Sequence, residues 1–197
     1  MRIPVVLVHM LVVVAVTAAP LGAQSASPRD GFWARLQRLC ESAAAGRLVA
    51  APPGDTQIDP AARLVVHFWE CGDTELRFPL HVAENRSRTW VFIRHVDKLE
   101  LRHDHRHEDG SEDRTTWYGA ETMDEGTVGS QEFVTERNGV RSGWRVQVEP
   151  GRHFTYGTIR GADWRHHLEF DLSAPVAAPP MHWGYTTRPS QRPSARP

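Results

Sequence analysis

Lysine is nearly missing from this chain. Of 23 basic residues, Lys98 is the single lysine and the rest are arginines. They stand against 24 acidic residues, so neither sign of charge is in excess. A general nucleic-acid binder shows a basic surplus, and that class is excluded. Two cysteines in 197 residues are too few for a disulfide-dense scaffold or a cysteine-rich zinc module. No G-x-S-x-G, H-E-x-x-H, phosphate-cradling glycine loop or dinucleotide fingerprint occurs, so no standard hydrolase, metalloprotease or nucleotide site is written in the chain. No long apolar run follows the amino-terminal segment, which leaves no candidate for a later membrane-spanning helix. Aromatic residues, by contrast, are plentiful. Seven Trp, seven Phe and three Tyr provide enough burial to exclude a chain disordered throughout.

The first residues predict export. Arg2 precedes an apolar stretch, Val5 to Ala19, interrupted only by His9 and Thr17. Small-residue cleavage sites follow between Pro20 and Ser25. We therefore read residues 1–24 as a signal peptide, 25–173 as one domain, and 174–197 as a Pro/Arg-rich tail, largely disordered. Within that tail, Trp183 and Tyr185 are expected to dock as a structural plug. The mature protein is expected in the periplasm or outside the cell, with no integral membrane segment after cleavage. In that oxidising setting Cys40 and Cys71 are expected to pair. Closing such a loop contributes roughly 3–4 kcal/mol in the chain-entropy model.

The body reads as short strands behind one helix. Phe32, Leu36, Leu39 and Ala43 recur at helical spacing, predicting a helix over 32–45 that Gly46 ends. Turn residues then punctuate the chain every eight to twelve positions. Strands are expected at 47–51, 63–71, 74–82, 88–95, 99–107, 112–119, 130–136, 143–149, 152–160 and 164–172. Several alternate cleanly, as when Leu76, Phe78, Leu80 and Val82 oppose Glu75, Arg77, Pro79 and His81. The pattern predicts an all-β fold, a small antiparallel up-and-down barrel of about ten strands; by architecture alone this resembles the calycin-type barrels. A β-sandwich or a cupin-type double sheet is the alternative. Trp69, Trp90, Trp117, Trp144 and Trp164 are expected in the core.

One stretch carries chemistry: LELRHDHRHEDGSEDRTTWYG, residues 99–119. On a strand, His103, His105 and His107 continue the face of Leu99 and Leu101, which is expected to point inward. Glu100, Arg102, Asp104 and Arg106 fall opposite, as a solvated ladder of alternating charge. A two-residue turn at Asp109-Gly110 sets Glu112 across from His107 and Arg114 across from His105. His103, His105, His107 and Glu112 are thus candidate ligands for Zn²⁺, Fe²⁺, Mn²⁺ or Cu²⁺. The competing reading is a strand that grows wetter toward a solvated tip. His67, His153 and His166 could join such a site from other strands.

Two resemblances attach to these residues. His105-Arg106-His107, Glu112 and Gly119 resemble the first cupin motif, which implies a metal held by His105, His107 and Glu112. Leu99 stands where that motif has a glycine, and Pro150-Gly151-Arg152-His153 is one residue short of the second motif. The runs SRTWVF (87–92), HDHRHEDGSED (103–113), FDL (170–172) and PPMHWG (179–184) resemble a family of exported bacterial proteins. That likeness implies export and a shared fold but no activity. Three functions remain open: a barrel binding a small ligand or metal ion, a cupin-like metal enzyme, or a structural and interaction protein.

Overall fold

A computed structural model describes residues 27–185. The signal-peptide reading of residues 1–24 and the last dozen residues of the tail lie outside the described residues. Helix α1 (Pro28–Gln37) leads into twelve strands: β1 (Ala43–Ala50), β2 (Leu64–His67), β3 (Glu70–Cys71), β4 (Glu75–Val82), β5 (Asn85–Arg94), β6 (Leu99–His105), β7 (Tyr118–Glu121), β8 (Ser130–Arg137), β9 (Val140–Glu149), β10 (His153–Arg160), β11 (Asp163–Trp164) and β12 (His167–Asp171). Ten of them form one path, β7-β6-β5-β4-β2-β1-β12-β10-β9-β8, with β3 and β11 paired at its side. Every pairing between strands is antiparallel. β7 and β8, the two ends of the path, meet at the bridge between Thr122 and Phe133. The result is a nearly closed up-and-down barrel, the architecture that removes exposed sheet edges.

The helix is shorter than its spacing predicts and begins earlier. Ser27 caps it, its hydroxyl accepting the Asp30 N–H at 3.1 Å, and Pro28 occupies the first turn. Beyond Gln37 the expected helix is overruled. Ala43 and Ala44 pair instead with His67 and Val66, and Gly46 sits inside β1 rather than ending α1. Strand pairing outweighs the helical preference of alanine, which is the strongest of any residue but small beside tertiary pairing. Gly46 is required because the Phe170 ring packs onto it; a Cβ would lie 2.3 Å from Phe170 Cδ1. The expected disulfide Cys40–Cys71 is present, with Cα atoms 6.1 Å apart, and ties the helix exit to β3.

The barrel interior is filled. Phe68, Phe78, Phe92, Phe133, Phe154 and Phe170 are fully buried or nearly so, and Trp90 lies among them. Phe32, Trp33 and Leu36 of α1 join this core, and Arg35 donates to the Val148 carbonyl at 3.0 Å. α1 therefore closes the end of the barrel where β5 finishes and β6 begins. The opposite end is the mouth, at the start of β5 and the close of β6. Of the five tryptophans expected in the core, Trp90 is there and Trp144 packs against it at the mouth. Trp69 is buried on the outer face beneath the tail, because its parity opposes Phe68. Trp117 and Trp164 lie outside, against Arg77 and Arg145.

After β12 the chain turns back along the outer wall. Val176 donates to the Ala43 carbonyl at 2.9 Å and Trp183 to that of Arg86 at 3.2 Å. Arg86 Nη1 returns a bond to the Met181 carbonyl at 3.0 Å. Residues 174–185, the part of the tail ahead of its last dozen residues, are thus a strap on the barrel, with the docking expected of Trp183 and Tyr185.

Among the described residues, no helix is long and apolar enough to cross a membrane.

Candidate functional site

β6 delivers its histidines to the mouth as its alternation predicts, but not as a metal site. His103 is buried, 3% exposed, in register with Trp90 on β5 and Tyr118 on β7. Its Nδ1 lies 3.1 Å from the Tyr118 carbonyl and its Nε2 lies 2.6 Å from the Tyr156 hydroxyl. A carbonyl can only accept, so Nδ1 carries the proton and Tyr156 donates to Nε2. Burial lowers the His103 pKa to about 3, the Tyr118 carbonyl opposes this, and nearby His105 lowers it further. The ring stays neutral at physiological pH. Burial also pushes the Tyr156 phenol well above its ordinary range, so it remains a donor.

An aromatic wall surrounds this pair. The Tyr118 ring stacks on His103 at 4.7 Å with 6° between planes, and Trp144 lies 4.7 Å away on a tilt. Tyr156 stacks on Trp90 at 3.9 Å. Nearer the solvent, His105 Nε2 is 3.2 Å from the Tyr118 hydroxyl. Burial and then Arg88 lower the His105 pKa, while Asp113 and Asp104 oppose them.

Arg88 completes the rim. It is in register with His105 and shares the parity of Trp90 and Phe92, so it faces inward. Its charge acts on His105, Tyr118 and Tyr156 alike. Among the described residues, no carboxylate and no hydrogen-bond acceptor pairs with its half-buried guanidinium.

The other two expected ligands go elsewhere. The hairpin tip is not a two-residue turn: His107 N–H donates to the Ser111 carbonyl and Gly110 N–H to that of His107. The Asp109 carboxylate accepts the Ser111 N–H at 2.9 Å, adding side-chain turn chemistry that lengthens the loop. Glu112 consequently bridges Arg106, not His107, and the register slips by one residue. Its carboxylate lies on the outer side, 3.1 Å from Arg106 and 3.2 Å from Trp117 Nε1. His107 is exposed at the tip. The expected strand over 112–119 is displaced for the same reason, since regular pairing resumes only at Tyr118. His103, His105, His107 and Glu112 therefore do not converge, and both His103 nitrogens are already engaged. The cupin-type ligand set does not fit this arrangement.

The outer face of β6 also departs from expectation. Asp104 is fully buried, not solvated. Arg106 donates to it at 2.8 Å, Tyr185 of the strap at 3.2 Å, and Arg77 stands 3.6 Å away. Glu100 is buried too, held by Arg102 and by His95 at 2.8 Å. Burial raises the Glu100 carboxyl, but the His95 and Arg102 bonds outweigh it and leave the group below its usual range.

His67 and His153 point outward, opposite in parity to core residues Val66 and Phe154. His166 holds a different contact, 2.8 Å from Thr158 Oγ1 and 3.1 Å from the Asp55 carboxylate, tying the 51–63 loop to the barrel. Among the described residues, the metal-type ligand atoms that gather within 4.8 Å of one another belong to His95, Glu100 and Glu121. Lys98 pairs with Glu121 at 2.8 Å and Arg102 with Glu100, so cations of the chain already sit there.

Sequence reasoning passed over Arg88, Tyr118 and Tyr156. The signal for Arg88 was available in the alternation Arg88, Trp90, Phe92. Tyr156 could not be found, because its partner lies 53 residues away on a strand that is not a neighbour of β10.

Comparison of the chain with protein-family models, curated proteins and solved structures finds no match.

Proposed function

We propose that this is an exported ligand-binding barrel that takes a small, flat, anionic molecule at its mouth. The observation that carries the reading is Arg88, an inward guanidinium without an anionic partner among the described residues. Beside it stand the Tyr118 and His105 polar tips and the Trp144 face. Barrel mouths are common ligand sites, and a few polar groups on an apolar wall provide orientation. An aromatic carboxylate or sulfonate meets both demands: a guanidinium donates two parallel bonds to the oxyanion, and indole and phenol rings cover a planar body. The packed core beneath supports a ligand held at the rim rather than deep inside.

The test uses 1-anilinonaphthalene-8-sulfonate, an anionic aromatic fluorophore, titrated into the mature protein. One equivalent should bind and quench tryptophan emission, and Arg88→Gln should weaken binding about tenfold or more. Equal affinity in the variant, or no saturable binding, would overturn the reading and leave a structural or interaction role.

A metal reading has its own support, in the approach of His95, Glu100 and Glu121. It requires Lys98 and Arg102 to yield their carboxylates to an ion. Titration with Zn²⁺, Fe²⁺, Mn²⁺ and Cu²⁺ decides it: uptake lost in Glu121→Gln supports this site, and no uptake removes it.

A further inference from the structure

The strap covers more than Asp104. Between residues 177–180 and the outer face of β2 and β4 lies a second cavity, of about 250 Å³. Its roof is Ala177, Ala178, Pro179 and Pro180. The two prolines have no N–H, so at those positions the roof offers no backbone donor. The floor is different in character, contributing Arg63, Arg86 and His81.

Each of these has donor capacity that the chain leaves unused. His81 is 96% buried (4% exposed), and its Nε2 has no hydrogen-bond partner. Arg86 spends Nη1 on the Met181 carbonyl, while its buried Nε has no partner. Arg63 is exposed at the rim, and its side chain makes no ion pair among the described residues. Buried donors left unpaired are costly, and native proteins resolve them with a partner. Two guanidiniums against one carboxylate, Glu84, leave the lining net positive. Excluding water on the strap side strengthens any ion pair formed below it.

We infer that this cavity is a binding site for a small oxyanion, carboxylate or phosphate, held by Arg63, Arg86 and His81 beneath the strap. It is separate from the barrel mouth: His81 faces outward where Leu80 and Val66 face the core, and the register shift between Asn85 and Arg88 turns Arg86 outward to the strap while Arg88 faces in. Without the anion His81 is held neutral: burial, then His67 and Arg86, lower its pKa to about 4. The charged groups facing it are Arg86, Arg63 and Glu84, with His67 alongside. An oxyanion in the cavity offsets the arginines and draws a proton onto His81, so binding should consume protons.

The test is a titration of the full mature chain with inorganic phosphate and, separately, with acetate. It is followed by the His81 ring signals in ¹H–¹⁵N spectra and by calorimetry in two buffers of different ionisation heat. Saturable movement of the His81 signals, with net proton uptake, is expected for at least one anion, and the stronger of the two identifies the source. Arg86→Gln should weaken binding about tenfold. Because Arg86 also holds the strap, Arg63→Gln provides the second variant and should weaken binding about threefold without disturbing the fold. Glu84→Gln should tighten it. Failure of both anions to move His81 saturably would overturn the site, as would binding indifferent to both arginine variants.

Discussion

The hydroxyl of Tyr156 on β10 and Nε2 of His103 on β6 meet at 2.6 Å inside the barrel, joining two strands that are not neighbours in the sheet. With Nδ1 satisfied by the Tyr118 carbonyl, the imidazole is fully bonded although it is buried. Tyr156→Phe keeps the ring stacked on Trp90 and deletes the hydroxyl, which donates to His103 and shares a hydrogen bond with Trp90. The stranded Nε2 should cost about 1–3 kcal/mol. A urea titration should show a lower midpoint with an unchanged slope. An unchanged midpoint would mean that the bond contributes nothing net.

Acid should destabilise the protein in a defined window. His103 and His81 have folded pKa values of about 3 and about 4, against an unfolded value near 6.5. As pH falls below about 6.5 the unfolded chain takes up protons that the folded chain refuses. Stability is therefore fully present above that pH and is lost as pH falls, levelling only below the folded values. Each such histidine contributes a slope of roughly 1.4 kcal/mol per pH unit while it alone titrates. His105 and His167, lowered chiefly by burial, act in the same direction. Denaturant midpoints measured from pH 7 to pH 5 should fall steadily, and His81→Gln should flatten the fall by about one proton. A flat profile would show that both histidines take up protons in the fold as readily as in the unfolded chain.

Gly119 explains a residue that the cupin resemblance assigned to a motif. A Cβ at this position would lie 1.8 Å from the Leu101 carbonyl oxygen, inside the β6–β7 pairing. Gly119→Ala must push β7 off β6, displacing Tyr118 from its stack on His103. The expected result is a loss of about 2 kcal/mol or more, with weaker binding at the mouth. An alanine variant of ordinary stability would place the close approach in doubt.

Much of the barrel is legible in the chain because its signals are local. Leu76, Phe78 and Leu80, or Trp90 and Phe92, declare an inward face by alternation alone, and the turns fall between such runs. What fails is what depends on one residue of register or on distant covering. The Asp109 side chain bonds Ser111 and lengthens the tip, moving Glu112 to the other face; composition does not distinguish the two turns. Asp104 looks solvated because its cover, Tyr185, comes 81 residues later. The β6 histidines are read correctly as inward. Their partners Tyr156 and Trp144 come from strands whose positions in the barrel only the closed topology sets.

The disulfide should matter for the helix more than for the mouth. Cys40 follows α1 and Cys71 lies in β3, so the bond fastens the end-closing helix to the wall. A paired Cys40→Ser and Cys71→Ser change should cost about 2–4 kcal/mol, read as a lower unfolding midpoint under non-reducing conditions. Binding of the fluorophore at the opposite end should persist in the folded fraction. Loss of binding at full folding would show that the two ends are coupled.

The strap should come away when Asp104 is removed. This carboxylate is fully buried and accepts from Arg106 and Tyr185, with Arg77 at 3.6 Å. Asp104→Ala takes from Arg106 and Arg77 the buried carboxylate they share, leaving them the more exposed Glu112, Glu75 and Glu70, and takes the acceptor from Tyr185. Breaking a buried ion pair from one side is strongly destabilising, and with the arginines partly exposed about 3 kcal/mol is expected. Tyr185→Phe removes the two hydrogen bonds of the hydroxyl, one accepted from Arg77 and one donated to Asp104, but leaves the ion pairs, so its cost should stay at about 1–2 kcal/mol. Limited proteolysis distinguishes a local from a global effect. In Asp104→Ala, cleavage within 174–185 should precede any cut in the barrel, whereas Tyr185→Phe should resist nearly as well as the parent. Simultaneous loss of strap and barrel would mean that the cluster holds the whole wall and not the strap alone.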